Sequence, residues 1–140
     1  MPSTHVLLIV GLFLVIDSMV LGAIIAMVRQ KFKLLVAKYP PQPSRPGSVT
    51  RRFQSIALDS FNFGWCVHLT VDDAFMHIVP TRFARFFGGA PLSIPWDAIS
   101  ISKRGRWNHT ARLGAVKLIA PAWCLDLAYP PDDFANKTRP

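Results

Sequence analysis

Three side chains in this 140-residue chain are of the types that hold metals: Cys66, His68 and His77. They lie in two strand-like runs, WCVHLTV and AFMHIVP, on either side of Asp72-Asp73. A two-residue loop would set His68 opposite His77 and leave Cys66 on the same face as His68, whereas a three-residue loop would move the histidines out of register. Zinc needs a fourth group or an open water position, and the spacing supplies neither. These residues therefore read as ordinary strand side chains with a buried thiol, and neither a metal nor a cofactor is expected.

Catalytic chemistry is not expected either. The chain has no glutamate, and Asp72, Asp73, Asp97, Asp132 and Asp133 fall in turns or the tail. It has no glycine-rich phosphate loop, nucleophile elbow or paired-histidine motif. The stronger signal is cation with aromatic. TRFARFFGG sets Arg82 and Arg85 among Phe83, Phe86 and Phe87, and KRGRWNHTAR sets Lys103, Arg104, Arg106 and Arg112 around Trp107. Near an anionic bilayer each such charge is worth about 1 kcal/mol, and aromatic rings favour the interface. Arg82, Arg85, Lys103, Arg104, Arg106 and Trp107 are thus the expected membrane-lipid contacts. The plainer alternative is a solvated basic face with the phenylalanines in the core.

A second chemical feature is Asp17, the single charge in VLLIVGLFLVIDSMVLGAIIAMV, Val6 to Val28. At 1.5 Å of rise per residue these twenty-three residues exceed the ~30 Å hydrocarbon thickness. An acid at mid-span costs about 2.5–3.5 kcal/mol, while fifteen Leu, Ile, Val and Phe residues contribute roughly 4.5–9 kcal/mol, so the segment should insert. Ser18, Gly22 and Ala26 form a small-residue stripe beside Asp17 that would let a second helix approach, giving a homo-oligomer or a membrane-protein partner. The bland alternative is a lone protonated Asp with accidental small neighbours.

All 16 Lys and Arg residues follow position 28, with Arg29, Lys31, Lys33 and Lys38 at the helix exit. Positive charge on the inner side predicts a single-pass inner-membrane protein, N-terminus outside and the remainder in the cytoplasm. A cleaved signal peptide fits poorly: the basic n-region is missing, the apolar stretch is too long and no A-x-A site follows. Cys66 and Cys124 are then expected to be reduced, and Asn108-His109-Thr110 and Asn136-Lys137-Thr138 to be chance sequons.

Residues 29–39 keep helical spacing, and Phe32, Leu35 and Val36 are expected to lie on the membrane surface as a basic juxtamembrane helix. Residues 40–50 hold four prolines within PPQPSRPG, read as a polyproline spacer keeping the next domain about 25 Å away. Residues 51–129 break into six or seven short β-branched and aromatic runs, including FQSIALD, LSI, ISISK, AVKLIA and WCLDLAY, a small cytoplasmic β domain. Residues 130–140 read as a flexible tail. In SIPWDAIS, Pro95 cannot donate to a ladder, so the strand ends there; Trp96 anchors a corner and Asp97 is expected to bond nearby amides.

The acidic hairpin HLTVDDAFMHI, the S-I-P-W-x-x-I corner and RRFQSIALDSFNFGWCVHLTVDD resemble bacterial single-pass membrane proteins with a pleckstrin-homology-like β domain. The likeness spans about Phe53 to Leu127. It implies a mainly β fold, an antiparallel sandwich or partly open barrel behind a transmembrane helix. That fold normally closes with a C-terminal helix, and the proline-broken YPPDDFANKTRP predicts that this cap is missing.

Two functions follow as expectations. One is a membrane-anchored non-catalytic binding or scaffolding module touching anionic lipid or a membrane-protein partner. The other is an accessory subunit docking through its transmembrane helix. Net charge +8 and a pI near 10.2 permit nucleic-acid binding, but basic charge beside a membrane helix is explained more simply by the membrane, and no nucleic acid is expected.

Overall fold

The computed structural model describes residues 3–129; the expected 130–140 tail, with Asp132, Asp133 and the second sequon, lies outside them. Helix α1, Thr4–Lys38, is followed by strands β1 (Val49–Leu58), β2 (Phe61–Val71) and β3 (Phe75–Pro80). Then come the short helix α2 (Arg82–Phe86), β4 (Leu92–Pro95) and a 3₁₀ turn at Trp96–Ala98. Strands β5 (Ser100–Arg104), β6 (Asn108–Leu113) and β7 (Val116–Pro121) and helix α3 (Ala122–Ala128) complete the chain.

The seven strands form one antiparallel sheet in the order β4-β3-β2-β1-β7-β6-β5. Its two edges, β4 and β5, are consecutive in the chain and separated only by residues 96–99, a reach of at most about 18 Å. The sheet must therefore curl into a half-barrel. The corner is held as expected at Pro95 and Trp96, whose indole Nε1 donates to the Asp72 carbonyl at 2.9 Å. Asp97 is exposed, and among the described residues no amide donates to its side chain. Asp72 takes that role instead, accepting from the amides of Ala74 and Phe75.

Helix α1 is one unbroken element in two environments. Through Met27 it is apolar on every side and uncovered, long and apolar enough to cross a membrane by length and composition. In its last three turns Val28, Phe32, Leu35 and the following Tyr39, spaced four, three and four residues apart, are buried in the same core as Ile56, Leu69, Ile94 and Leu118. The Phe32 ring meets Phe63 edge-on at 5.3 Å, and Lys31 pairs with Asp59. A half-barrel leaves its apolar concave face open, and burying a helix's apolar stripe against that face is the favourable solution. This corrects two expectations. Phe32 and Leu35 do not lie on a membrane surface, and the proline-rich segment does not hold the domain away. Pro40 ends the helix, because residues before proline avoid the α region. The segment then straps along the sheet, with the Gln42 amide donating to Ser93 Oγ (2.8 Å) and the Arg45 amide to Asp72 Oδ2 (3.0 Å).

Three further segments depart from expectation. WCLDLAY is not a strand: after Pro121 the chain turns into α3, which buries Cys124 and Leu125. A short helix is therefore present just before YPPDDFANKTRP, the segment expected to lack a cap, which lies outside the described residues from position 130 on. NHTARL, which is not among the runs expected to be strands, is the strand β6, paired with both β5 and β7. RFARF, given no element from the sequence, is the helix α2.

Candidate functional site

Helix α2 forms because Thr81 caps it, its hydroxyl accepting from the Ala84 amide at 3.3 Å. Ala84 is its buried contact, which turns the larger residues outward: Phe83 is 66% exposed and Phe86 73%. The two rings pack edge-on against Phe87 at 4.9 and 5.3 Å. Arg82 and Arg85 are exposed on the same helix, and Arg85 Nε donates to the Pro80 carbonyl at 3.1 Å. The alternative that these phenylalanines belong to the core fails for Phe83 and Phe86.

Gly88 fixes where α2 sits. Its φ is +99°, and a Cβ there would come within 2.1 Å of Arg29 Cγ. Only glycine meets both demands. Arg29 is the first residue after the apolar Val6–Val28 run, so α2 and its rings sit beside the point where α1 leaves that run.

Facing α2 across an open cleft of about 430 Å³ are Phe53, Trp65, Cys66 and His68. Phe53 and Trp65 occupy irregular points of the β1–β2 ladder with φ of +51° and +58°, a left-handed backbone that costs a non-glycine residue about 1–3 kcal/mol. The cost is offset locally: the Phe53 amide donates to His68 Nδ1 (3.2 Å) and the Trp65 amide to Ser55 Oγ (3.0 Å). The result is to aim both rings outward, Trp65 72% exposed. Sequence reasoning missed these two residues, since nothing in FQS or GWC announces a bulge.

The second basic group is elsewhere. Trp107 is 76% exposed at the β5–β6 turn, with Arg106 stacked 5.4 Å from its ring centre, and its carbonyl accepts from the Ala122 amide at the start of α3. Lys103 is exposed on β5. Arg104 is turned inward: Nη1 lies 2.5 Å from Asp126 Oδ1 and Nη2 donates to the Tyr129 carbonyl at 2.7 Å. It holds α3 to the sheet, together with His109, whose Nε2 lies 2.8 Å from the same Asp126 oxygen, and so it is not among the surface contacts. Helix α2 packs on β2 and β3, whereas the β5–β6 turn packs on α3. The expected contacts thus form two separate groups.

The metal-like trio is separated by its hydrogen bonds. The β2–β3 loop is three residues, His77 pairs with Thr70, and His68 pairs with Val79. His77 uses both ring nitrogens: Nε2 lies 2.9 Å from Asp72 Oδ2 and Nδ1 2.8 Å from Ser93 Oγ. Among the described residues no group of three or more His, Cys or Asp side chains is placed to hold a metal. The carboxylate–imidazole–hydroxyl sequence Asp72–His77–Ser93 is the order used for nucleophilic catalysis. Here, though, Ser93 is 3% exposed and already accepts the Gln42 amide. Burial opposes ionisation of Asp72, but the His77 bond and the amides of Arg45, Ala74 and Phe75 outweigh it and hold the carboxyl well below the usual carboxylate range. The chain of bonds locks the strap onto the sheet.

Cys66 and Cys124 are both free thiols, and burial, the largest influence, pushes that of Cys124 up to about 12. Asp17, Ser18, Gly22 and Ala26 all lie on the uncovered part of α1; Ser18 Oγ donates to the Leu14 carbonyl at 2.7 Å, and a Cβ at Gly22 would meet nothing within 4 Å. Compared with known proteins, the chain matches no protein family, no curated protein and no solved structure.

Proposed function

We propose that this chain is a membrane-anchored, non-catalytic binding or scaffolding module: α1 crosses the inner membrane of a bacterium, and the cytoplasmic, pleckstrin-homology-like β domain rests on the anionic leaflet through α2. The observation that carries the reading is the placement of α2. Phe83 and Phe86 are exposed on a helix followed by Gly88, which lies against Arg29 of α1, the depth at which a spanning helix would emerge from hydrocarbon. Aromatic rings are stable at that boundary, and Arg82, Arg85 and Arg29 supply charge of the sign that anionic headgroups attract. Seven antiparallel strands with a short C-terminal helix suit the proposed domain type. Trp107, Arg106 and Lys103 belong to a separate face on this reading and are free for a partner.

The test uses the full chain in vesicles. Position 86 is substituted Phe86→Cys in a Cys66→Ser background, where the buried Cys124 stays unlabelled, and carries an environment-sensitive fluorophore. In vesicles containing phosphatidylglycerol the emission should shift to the blue, and alkaline carbonate should leave the protein in the membrane pellet. Aqueous emission in those vesicles overturns the lipid contact, and release by carbonate overturns the anchorage.

A second reading is favoured by the uncovered stripe of Ser18, Gly22 and Ala26 beside Asp17. On it, α1 docks into a larger membrane complex or a second copy of the chain, and Asp17 is satisfied by the partner. Gly22→Ile should then abolish association in a membrane two-hybrid assay, and unchanged association removes this reading.

A further inference from the structure

The outer face of β5, β6 and β7 carries three cations that the sheet forces together. Arg112 stands directly opposite Lys117 in the β6–β7 register, and Lys103 stands opposite Thr110, two residues from Arg112 on the same face. With the hydroxyls of Ser102 and Thr110 they line an open cavity of about 490 Å³. Among the described residues none of the three is in an ion pair with an acid. Like charges directly opposite one another destabilise a sheet, so this face lowers the stability of its own fold while empty of anions.

We propose that this face is a binding site for phosphate groups. Three positive charges surround a concave space, Arg112 offers a planar fork that matches phosphate oxygens two at a time, and Lys103 and Lys117 act as point charges on either side. The Thr110 hydroxyl adds a neutral donor, while that of Ser102 donates to the Thr110 carbonyl at 3.1 Å.

The site also lies close to α1. Asp59 accepts from the Lys117 amide at 2.7 Å while its carboxylate pairs with Lys31, three residues past Val28. The β6–β7 turn passes Lys38, whose Nζ is 3.7 Å from where a Cβ on Gly114 would stand. If α1 spans the membrane as proposed above, phospholipid headgroups of the same leaflet come within reach of Lys117 and Arg112. The chemistry of the site is the same for a lipid phosphate and a soluble one, and only the lipid source rests on the membrane reading.

The experiment uses full-length protein in phosphatidylcholine nanodiscs, with unfolding of the β domain followed by tryptophan fluorescence. Inorganic pyrophosphate, compared with sodium chloride at equal ionic strength, should raise the midpoint by about 5 °C near saturation. Lys117→Gln should raise the midpoint slightly without any ligand, because Arg112 loses its like-charged neighbour, and should abolish the pyrophosphate response; Arg112→Gln should abolish it too. A purely structural role for these residues predicts neither change. Discs containing one third phosphatidylglycerol separate the sources. A midpoint already raised and insensitive to pyrophosphate assigns the site to lipid phosphate, and an unraised midpoint that still responds assigns it to a soluble phosphate. Absence of any shift in the wild type, or an equal shift in both variants, overturns the site without touching the carbonate result.

Discussion

The two parts of α1 have opposite surroundings and unequal apolar content, 18 of the 24 residues in Thr4–Met27 against 6 of the 11 in Val28–Lys38. Residues up to Met27 have Leu, Ile, Val and Phe on every side and are exposed apart from half-buried Ile25, whereas from Val28 onward one stripe is buried and Arg29, Lys33, Leu34 and Ala37 face outward. The difference is periodicity. A helix apolar all round has no preferred face and suits a uniformly apolar medium, while one with a single stripe must find a matching surface. The half-barrel supplies that surface, so a single helix serves both as candidate anchor and as part of the domain core.

Substitutions can break this contrast. Phe32→Ala, in the buried part, should destabilise the β domain by about 3–5 kcal/mol, close to the whole stability of a small domain. Leu14→Ala, in the uncovered part, should leave domain unfolding unchanged. Denaturant titration of both variants in mild detergent checks this, and equal effects would abolish the distinction between the two parts.

Next in size is the lock that follows the buried part. Asp72→Asn should cost about 1.5–3 kcal/mol, since charged hydrogen bonds to His77 and three amides are lost. Because the folded carboxyl titrates below its unfolded value of about 3.9, its stabilisation is complete above that pH and fades as pH falls below it. The wild type should therefore lose stability below about pH 4, with protease cutting first in residues 40–47, and the Asp72→Asn variant should show a flatter acid limb. An unchanged acid limb would mean that Asp72 does not hold the strap.

The smallest effect sharpens the boundary itself. Gly88→Ala adds left-handed strain and a clash with Arg29, together about 1–3 kcal/mol. In the Arg29→Ala background the clash part should vanish and only the strain remain, a coupling that a double-mutant cycle measures. Additive losses would show that α2 does not abut the helix exit.

Much of the β domain is legible in the residues. The acidic hairpin, the Pro95–Trp96 corner and the break at Pro121 all follow from turn chemistry that few other conformations allow. WCLDLAY was not legible, because a short apolar run suits a buried strand or one face of a short helix equally well. The packing of α1 was not legible either. Four prolines describe a stiff segment but not its direction, and here it runs back along the sheet. At the candidate site, the α2 arginines could be read from composition. Phe53 and Trp65 could not, since their exposure depends on bulges that non-glycine residues do not advertise, and the Asp72–His77–Ser93 lock depends on a loop one residue longer than the shortest hairpin.

The absence of any break in α1 at residue 28 makes the β domain a rigid pointer on a shaft. Each residue advances an α-helix by 1.5 Å and about 100°. One alanine added between Gly22 and Val28 would swing the domain roughly 100° around the shaft and aim α2 sideways, whereas seven added residues would restore its heading to within about 20° and set it some 10 Å farther along. The facing of the β domain is thus encoded as a residue count in a segment it does not touch.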